Sequence, residues 1–185
     1  MLEAIDKMAG ALQARWYLFG AQAVAIWGRP RSTADVDVTI EAGSGTRIDD
    51  VILAARRAGL RLRAADAKTL AQESAVLLLE CGGIPVDVVL GGPGLEALFL
   101  SRARRVRLGR LTIPVIGPED LIVTKLIAGR PRDLEDVRGI LSERAAELDL
   151  DQLRGLLSEI GTVLERSDLI DTLDRLEREA GLLRR

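Results

Sequence analysis

The chain has 185 residues, of which 48 % are hydrophobic and 29 % charged, with a formal net charge of -2 and no histidine. That length suits one domain, or a core with a helical appendage, and the hydrophobic content supports a buried interior rather than a disordered chain. The charge balance excludes recruitment of nucleic acid by a global basic field, and aromatic residues at 3 % argue against a base-stacking platform.

Residues 2–14 are expected to form an amphipathic helix, with Leu2, Ile5, Ala9 and Leu12 near helical spacing. Trp16 to Phe19 is a short strand, and Gly20 stands at the turn into a helix of small residues ending at Trp27. Without a side chain, Gly20 permits unusual dihedrals and close approach of a ligand; a tight turn alone accounts for it equally well. The backbone N–H groups at that helix start lack partners and favour an anion. Gly28 closes the helix. In the loop Arg29-Pro30-Arg31-Ser32-Thr33, the two arginines either hold phosphates or are solvated charges offsetting the acids that follow.

Ala34 to Ile40 is expected to be a strand, whose alternation puts Asp35 and Asp37 on one face and Val36 and Val38 on the other. Two residues of strand rise separate the carboxylates by about 6.5–7 Å at their backbones. Such carboxylates repel unless a cation or proton neutralises them, and an oxygen-only donor set suits a hard cation such as Mg²⁺. The plainer alternative is a solvated edge-strand face.

Gly43-Ser44-Gly45 is expected to be a loop, and Thr46 to Asp49 a capping box opening a helix that runs to Ala58 and stops at Gly59. Leu60 to Arg63 alternates like a half-exposed strand, and a short helix covers 66–73. Two strands, 74–80 and 84–90, flank Cys81-Gly82-Gly83 as a hairpin. Asp87 sits mid-strand among Val86, Val88 and Val89, where an unpaired buried carboxylate is costly. It either faces water at an edge or joins Asp35 and Asp37. After a helix at 95–101, Arg102 to Arg110 is the one strongly basic block, read as a polyanion-binding edge or an arginine-protected edge strand. Leu111 to Ile116 completes that second hairpin.

Pro118 with Glu119 and Asp120 marks a helix start, and Gly129 its end. Lys125 lies inside this otherwise apolar helix, where its stem allows the ammonium to snorkel to solvent. Pro131 opens a further helix with a core stripe of Leu134, Val137 and Leu141, and with Asp133 and Asp136 three residues apart. From Leu148 onward, spaced leucines predict two amphipathic helices broken near Ser167, packed on the preceding helices or forming a homodimer. Leu183-Arg184-Arg185 is expected to be a frayed basic tail. The fold class is therefore α/β (α+β): a mixed sheet flanked by helices in residues 1–117, then a C-terminal helical bundle in 118–185.

Gly20-Ala21, a short helix, the arginine-bearing loop and Asp35-Val36-Asp37 together resemble the signature of the DNA polymerase β-like nucleotidyltransferase superfamily. The segment from Glu119 to Val137, with Lys125 and then Arg132-Asp133-Leu134-Glu135-Asp136, is similar to an element of the AbiEii/MenT group of toxin–antitoxin nucleotidyltransferases. The resemblance spans residues 16–141. It implies metal-dependent transfer of a nucleoside monophosphate from a nucleoside triphosphate to an acceptor hydroxyl. Asp35, Asp37 and Asp87 would hold Mg²⁺ (or Mn²⁺), and Asp136 would join the active site. Gly20, Ala21, Arg31, Thr33 and Lys125 would bind the nucleotide, the spacing Arg-x-Thr-x-Asp favouring Arg31 over Arg29. Relatives often carry a serine where Ala21 stands, so this chain offers only its backbone there.

By analogy with those toxins the acceptor is a tRNA 3′ end, with a protein or small molecule as other acceptors and an antitoxin as partner. Two rival readings remain at this level. One is a non-catalytic module that binds nucleotide or a partner. The other, ranked last, is a sugar-nucleotide glycosyltransferase, which would want a larger donor domain before its Asp-x-Asp. The lone cysteine, Cys81, excludes an intrachain disulfide framework. The first residues lack a basic, apolar leader, and the apolar stretch 75–100 is broken by Glu80, Asp87 and glycines. A soluble cytoplasmic protein without a membrane span is the expectation.

Overall fold

The computed structural model describes residues 1–43 and 45–182; Ser44 of the expected loop and the expected tail Leu183-Arg184-Arg185 lie outside them. The chain divides into two compact units. Met1–Gln22 and Ser32–Ile116 form the first, and Ala23–Arg31 groups with the chain from Gly117 onward in the second.

The first unit is built on a mixed seven-stranded sheet. In chain order its elements are α1 (Leu2–Ala11), β1 (Arg15–Phe19), β2 (Val36–Glu41), α3 (Ile48–Arg57), β3 (Arg61–Leu62), α4 (Ala67–Ser74), β4 (Val76–Cys81), β5 (Ile84–Leu90), α5 (Leu95–Arg102), β6 (Arg104–Leu108) and β7 (Leu111–Val115). Between β1 and β2 comes α2 (Gly20–Trp27), which starts directly after β1. The spatial order is β3-β4-β5-β2-β1-β7-β6. The β2–β5 and β1–β7 pairs are parallel and the others antiparallel. Alternating β-branched residues explain the strands: Val36, Val38, Ile40, Val86 and Val88 bury one face, leaving Asp37 and Asp87 on the other. The β4–β5 hairpin turns through Gly82 and Gly83, both at positive φ (60° and 81°), which suits a two-residue turn matched to strand twist.

Several boundaries differ from expectation. The second strand begins at Val36, so Asp35 stands at its entrance rather than inside it. The capping box is shifted by one: the Arg47 N–H donates to the Asp50 carboxylate at 3.0 Å, and Thr46 precedes the cap. The first helix stops at Ala11 because Gln13 takes a left-handed φ of 52°, and Ala75 (φ 56°) delays β4 to Val76.

The second unit is helical. From Ala23 on, α2 belongs to it, together with α6 (Pro118–Ala128), α7 (Pro131–Arg144), a 3₁₀ turn (Ala145–Glu147), α8 (Leu150–Val163) and α9 (Asp168–Glu179). Gly129 ends α6 at φ 63°, the left-handed stop that glycine makes cheap. The helix α6 packs on α7, α8 and α9. The spaced leucines Leu153, Leu157, Leu169, Leu173 and Leu176 are all buried. Arg154 ties α8 to α9 through Asp174 (2.6 Å) and the buried Glu177. At Gly28 the backbone meets α7 so closely that a Cβ would lie 2.9 Å from the Ile140 amide nitrogen. Among the described residues, no helix is long and apolar enough to cross a membrane.

Candidate active site

Register alone brings two of the acids together. Asp37 of β2 and Asp87 of β5 are direct partners in the parallel pair, so their side chains leave the same face. Asp35, at the entrance to β2, completes the group: one carboxylate oxygen from each of Asp35, Asp37 and Asp87 lies within 4.8 Å of the others. At that separation each pair repels by on the order of 3 kcal/mol for an effective dielectric of about 20, less where water reaches it. The arrangement therefore calls for a counter-charge.

Two neighbours supply part of the answer. The Thr33 hydroxyl donates to the Asp35 carboxylate, fixing its orientation. On the far side, Arg63 Nη2 approaches Asp87 Oδ1 to 2.9 Å, yet this buried oxygen takes no aligned hydrogen bond. The contact is thus an ion pair by proximity, and the oxygen keeps a lone pair to give. The sequence did not single out Arg63, because it ends a half-exposed alternating stretch. Its N–H donates to Leu78 O on β4, and Leu78 is the partner of Asp87 on β5, so the pair reaches across β4 from the residue just after β3. An all-carboxylate group with an open acceptor atom fits a hard divalent cation.

Gly20 lies against this group. It sits at φ 64°, and a Cβ there would fall 2.0 Å from Asp37 Oδ2. The glycine is needed both for the left-handed turn out of β1 and for the space that Asp37 occupies. Ala21 follows in the first turn of α2, where backbone N–H groups are without helical partners.

The other expected site residues meet within the second unit. Arg31 donates from Nε and Nη2 to the two oxygens of Asp136, at 2.8 and 3.1 Å. Lys125 Nζ lies 2.8 Å from Asp133 Oδ1 and 2.9 Å from Asp136 Oδ2. The lysine does not snorkel to solvent; it is only 7 % exposed and ends in this cluster. Burial alone would raise the Asp136 carboxyl, but the hydrogen bonds and charges of Arg31 and Lys125 outweigh it and hold the group below the usual carboxylate range. Arg29 is paired with Glu143 at 3.2 Å on an exposed surface, so it is the less engaged of the two loop arginines. The structure thus gathers Asp35, Asp37, Asp87, Thr33 and Gly20 in one unit, and Arg31, Lys125 and Asp136 in the other.

Two solved structures share the fold. The solution structure of the antibiotic-resistance factor ANT(2'')-Ia superposes with a TM-score of 0.56 at 18 % identity, covering 88 % of this chain and 93 % of that one. The crystal structure of ANT(2'')-Ia in complex with adenylyl-2''-tobramycin gives 0.54 at 18 % identity, covering 84 % and 97 %. No curated protein matches the sequence. The AbiEii/MenT subgroup expected from the motifs is not the family that matches. Over residues 1–176 the sequence matches the family described as "Nucleotidyltransferase of unknown function (DUF6036)", and the chain belongs to that nucleotidyltransferase family.

Proposed function

We propose that the protein transfers a nucleoside monophosphate from a nucleoside triphosphate to the hydroxyl of an RNA 3′ end, with Asp35, Asp37 and Asp87 as the reacting site. The observation that carries this is the convergence of three carboxylates beside a glycine whose missing side chain makes room for one of them. A divalent ion, Mg²⁺ or Mn²⁺, held by those three residues would neutralise them and stabilise charge on the phosphates.

The chain's own residues do the rest. The α2 N-terminus, from Gly20 and Ala21, presents backbone donors to the triphosphate. Thr33 keeps Asp35 oriented. Asp87 accepts the proton of the acceptor hydroxyl as its oxygen bonds to the α-phosphorus and the bond to pyrophosphate breaks. In the second unit, Arg31 and Lys125 both engage Asp136, so its carboxylate anchors them rather than moving a proton. The likeness of the Lys125 to Asp136 segment to AbiEii/MenT toxins supports RNA as acceptor and an antitoxin as protein partner.

Purified protein, each α-labelled triphosphate, Mg²⁺ and total RNA constitute the test. Label should pass to RNA with the wild type. The D37N variant should pass none while melting at the same or a higher temperature, since it removes a like-charge repulsion. Undiminished labelling by D37N would overturn the assignment. A small-molecule hydroxyl is the second acceptor class, favoured by the fold shared with ANT(2'')-Ia, whose complex holds adenylyl-2''-tobramycin. The same assay with an aminoglycoside in place of RNA separates the two.

A further inference from the structure

The basic block is an edge strand with a defined orientation. In the first unit, β6 closes one end of the sheet order and, among the described residues, pairs with β7 alone. Arg105 and Arg107 pair with Pro114 and Thr112 of β7, while Val115 pairs with Leu18 of β1, and Leu18 with Val38. Following that parity across the sheet puts Leu18, Val38 and Val115 on the buried face. Arg105 and Arg107 then leave the opposite face, which is the one that carries Asp37 and Asp87. Three strand spacings, about 14 Å, separate β6 from β2. The helix α5 lies on β1 and β2, so the open strip of this face is the outer pair of strands, where Arg105, Arg107, Arg110 and Thr112 are exposed.

The arginines there are held ready. Arg105 Nη2 donates to Thr112 O at 3.1 Å, and Arg107 Nε donates to Gly109 O at 3.2 Å. Neither of these guanidinium groups, nor that of Arg110, meets a carboxylate among the described residues. A protective edge strand needs charge but no such bracing; forks fixed to backbone carbonyls present their remaining donors in a set direction. The two braced arginines stand about 6.6–6.8 Å apart along the strand. Two forks at this spacing, with no aromatic side chain on β6 or β7, suit a polymer of phosphates held by its backbone rather than a stacked base.

From this we infer that β6 is the docking edge for an RNA acceptor, holding its backbone through Arg105 and Arg107 on the same sheet face as the carboxylates, with Arg110 in the turn that follows. This deepens the reading given under Proposed function and rests on it for the word acceptor. A polycationic acceptor, such as an aminoglycoside, would be repelled by this edge.

The experiment titrates fluorescein-labelled bulk tRNA with the full chain between 50 and 300 mM NaCl, read by anisotropy. Each phosphate contact to a single strand contributes a salt slope of about 0.7, worth about fivefold in affinity between 0.1 and 1 M salt. R105Q/R107Q should therefore flatten the slope by about 1.4 and weaken binding about 25-fold at 0.1 M. R105K/R107K, which keeps both charges, should retain most of the affinity. Calorimetric binding of Mn²⁺ with nucleoside triphosphate should be the same in all three proteins. Wild-type affinity in the glutamine pair, or no tRNA binding by the wild type at 50 mM NaCl, overturns the proposal. So does equal, equally salt-dependent binding to duplex DNA or to phosphatidylglycerol vesicles. Loss of nucleotide binding with RNA binding intact would count against the catalytic reading and leave the docking edge standing.

Discussion

Replacing Gly20 by alanine tests the geometry of the site with a single methyl group. The added Cβ would lie 2.0 Å from Asp37 Oδ2, 2.7 Å from its Cγ and 2.9 Å from its Cβ. Ordinary contact begins near 3.4 Å, so the oxygen must retreat by about 1.4 Å, and the short Asp37 Cβ contact means that a rotamer change alone does not clear the clash. Alanine in a left-handed turn costs about 1–2 kcal/mol, and overpacking a further 1–3 kcal/mol. The sum, about 2–5 kcal/mol, corresponds to a fall in Tm of roughly 4–20 °C for a chain of this size. Metal ligation tolerates displacements of only about 0.2 Å, so Mn²⁺ affinity should fall at least tenfold. Gly10 provides the internal control: it is exposed in α1 with nothing within 4 Å of an added methyl, so G10A should raise stability slightly. Thermal melts and Mn²⁺ titration by electron paramagnetic resonance read both quantities. A G20A protein with wild-type Tm and Mn²⁺ affinity would refute the abutment of Gly20 on Asp37.

Two further substitutions probe the charges. Arg63 would compete with a cation bound at Asp87 Oδ1, and both side chains are about a third exposed (31 % and 29 %), so the pair is a weak one. R63M should bind Mn²⁺ up to about fivefold more tightly, as calorimetry can show, and an unchanged affinity would make the ion pair incidental. Asp136 has a folded-state pKa below its ordinary value, so its contribution to stability is complete above about pH 3.9 and is lost as pH falls further through the depressed value. The gap in Tm between wild type and D136N should accordingly be constant from about pH 5 to 7 and narrow below about pH 4. A gap that does not respond to acid would refute the coupling to Arg31 and Lys125.

The legible part of this protein was its periodicity. Valines at 36, 38, 86 and 88 alternate with Asp37 and Asp87, and that alternation alone decides which face the acids occupy. Pro118, Gly129 and Pro131 punctuate α6 and α7 through fixed φ and left-handed stops, which need no tertiary information. What escaped was set by cross-strand register and by distant pairing. Arg63 reaches Asp87 through β4, a partnership that no spacing in the sequence encodes. The same holds for Arg31 and Asp136, 105 residues apart, and for the grouping of residues 23–31 with helices beyond Gly117. The capping box slipped by one residue because Asp49 and Asp50 are both acids, and only backbone geometry chooses between them.

The parallel pairing of β2 with β5 has a kinetic corollary. Parallel neighbours cannot be joined by a tight turn, and here α3, β3, α4 and β4 all intervene before Val86 can lie beside Val36. Closing that excursion carries a loop-entropy cost that the local hairpins do not, so the meeting of Asp37 with Asp87 is expected to follow them. A divalent ion held by Asp35, Asp37 and Asp87 would recognise only the finished sheet and would shift the equilibrium toward it by mass action, by about 2.7 kcal/mol at a hundredfold excess over its Kd. In such a chain, cation capture would be the last signature of assembly, and the proposed centre would not be armed ahead of the scaffold that bears it.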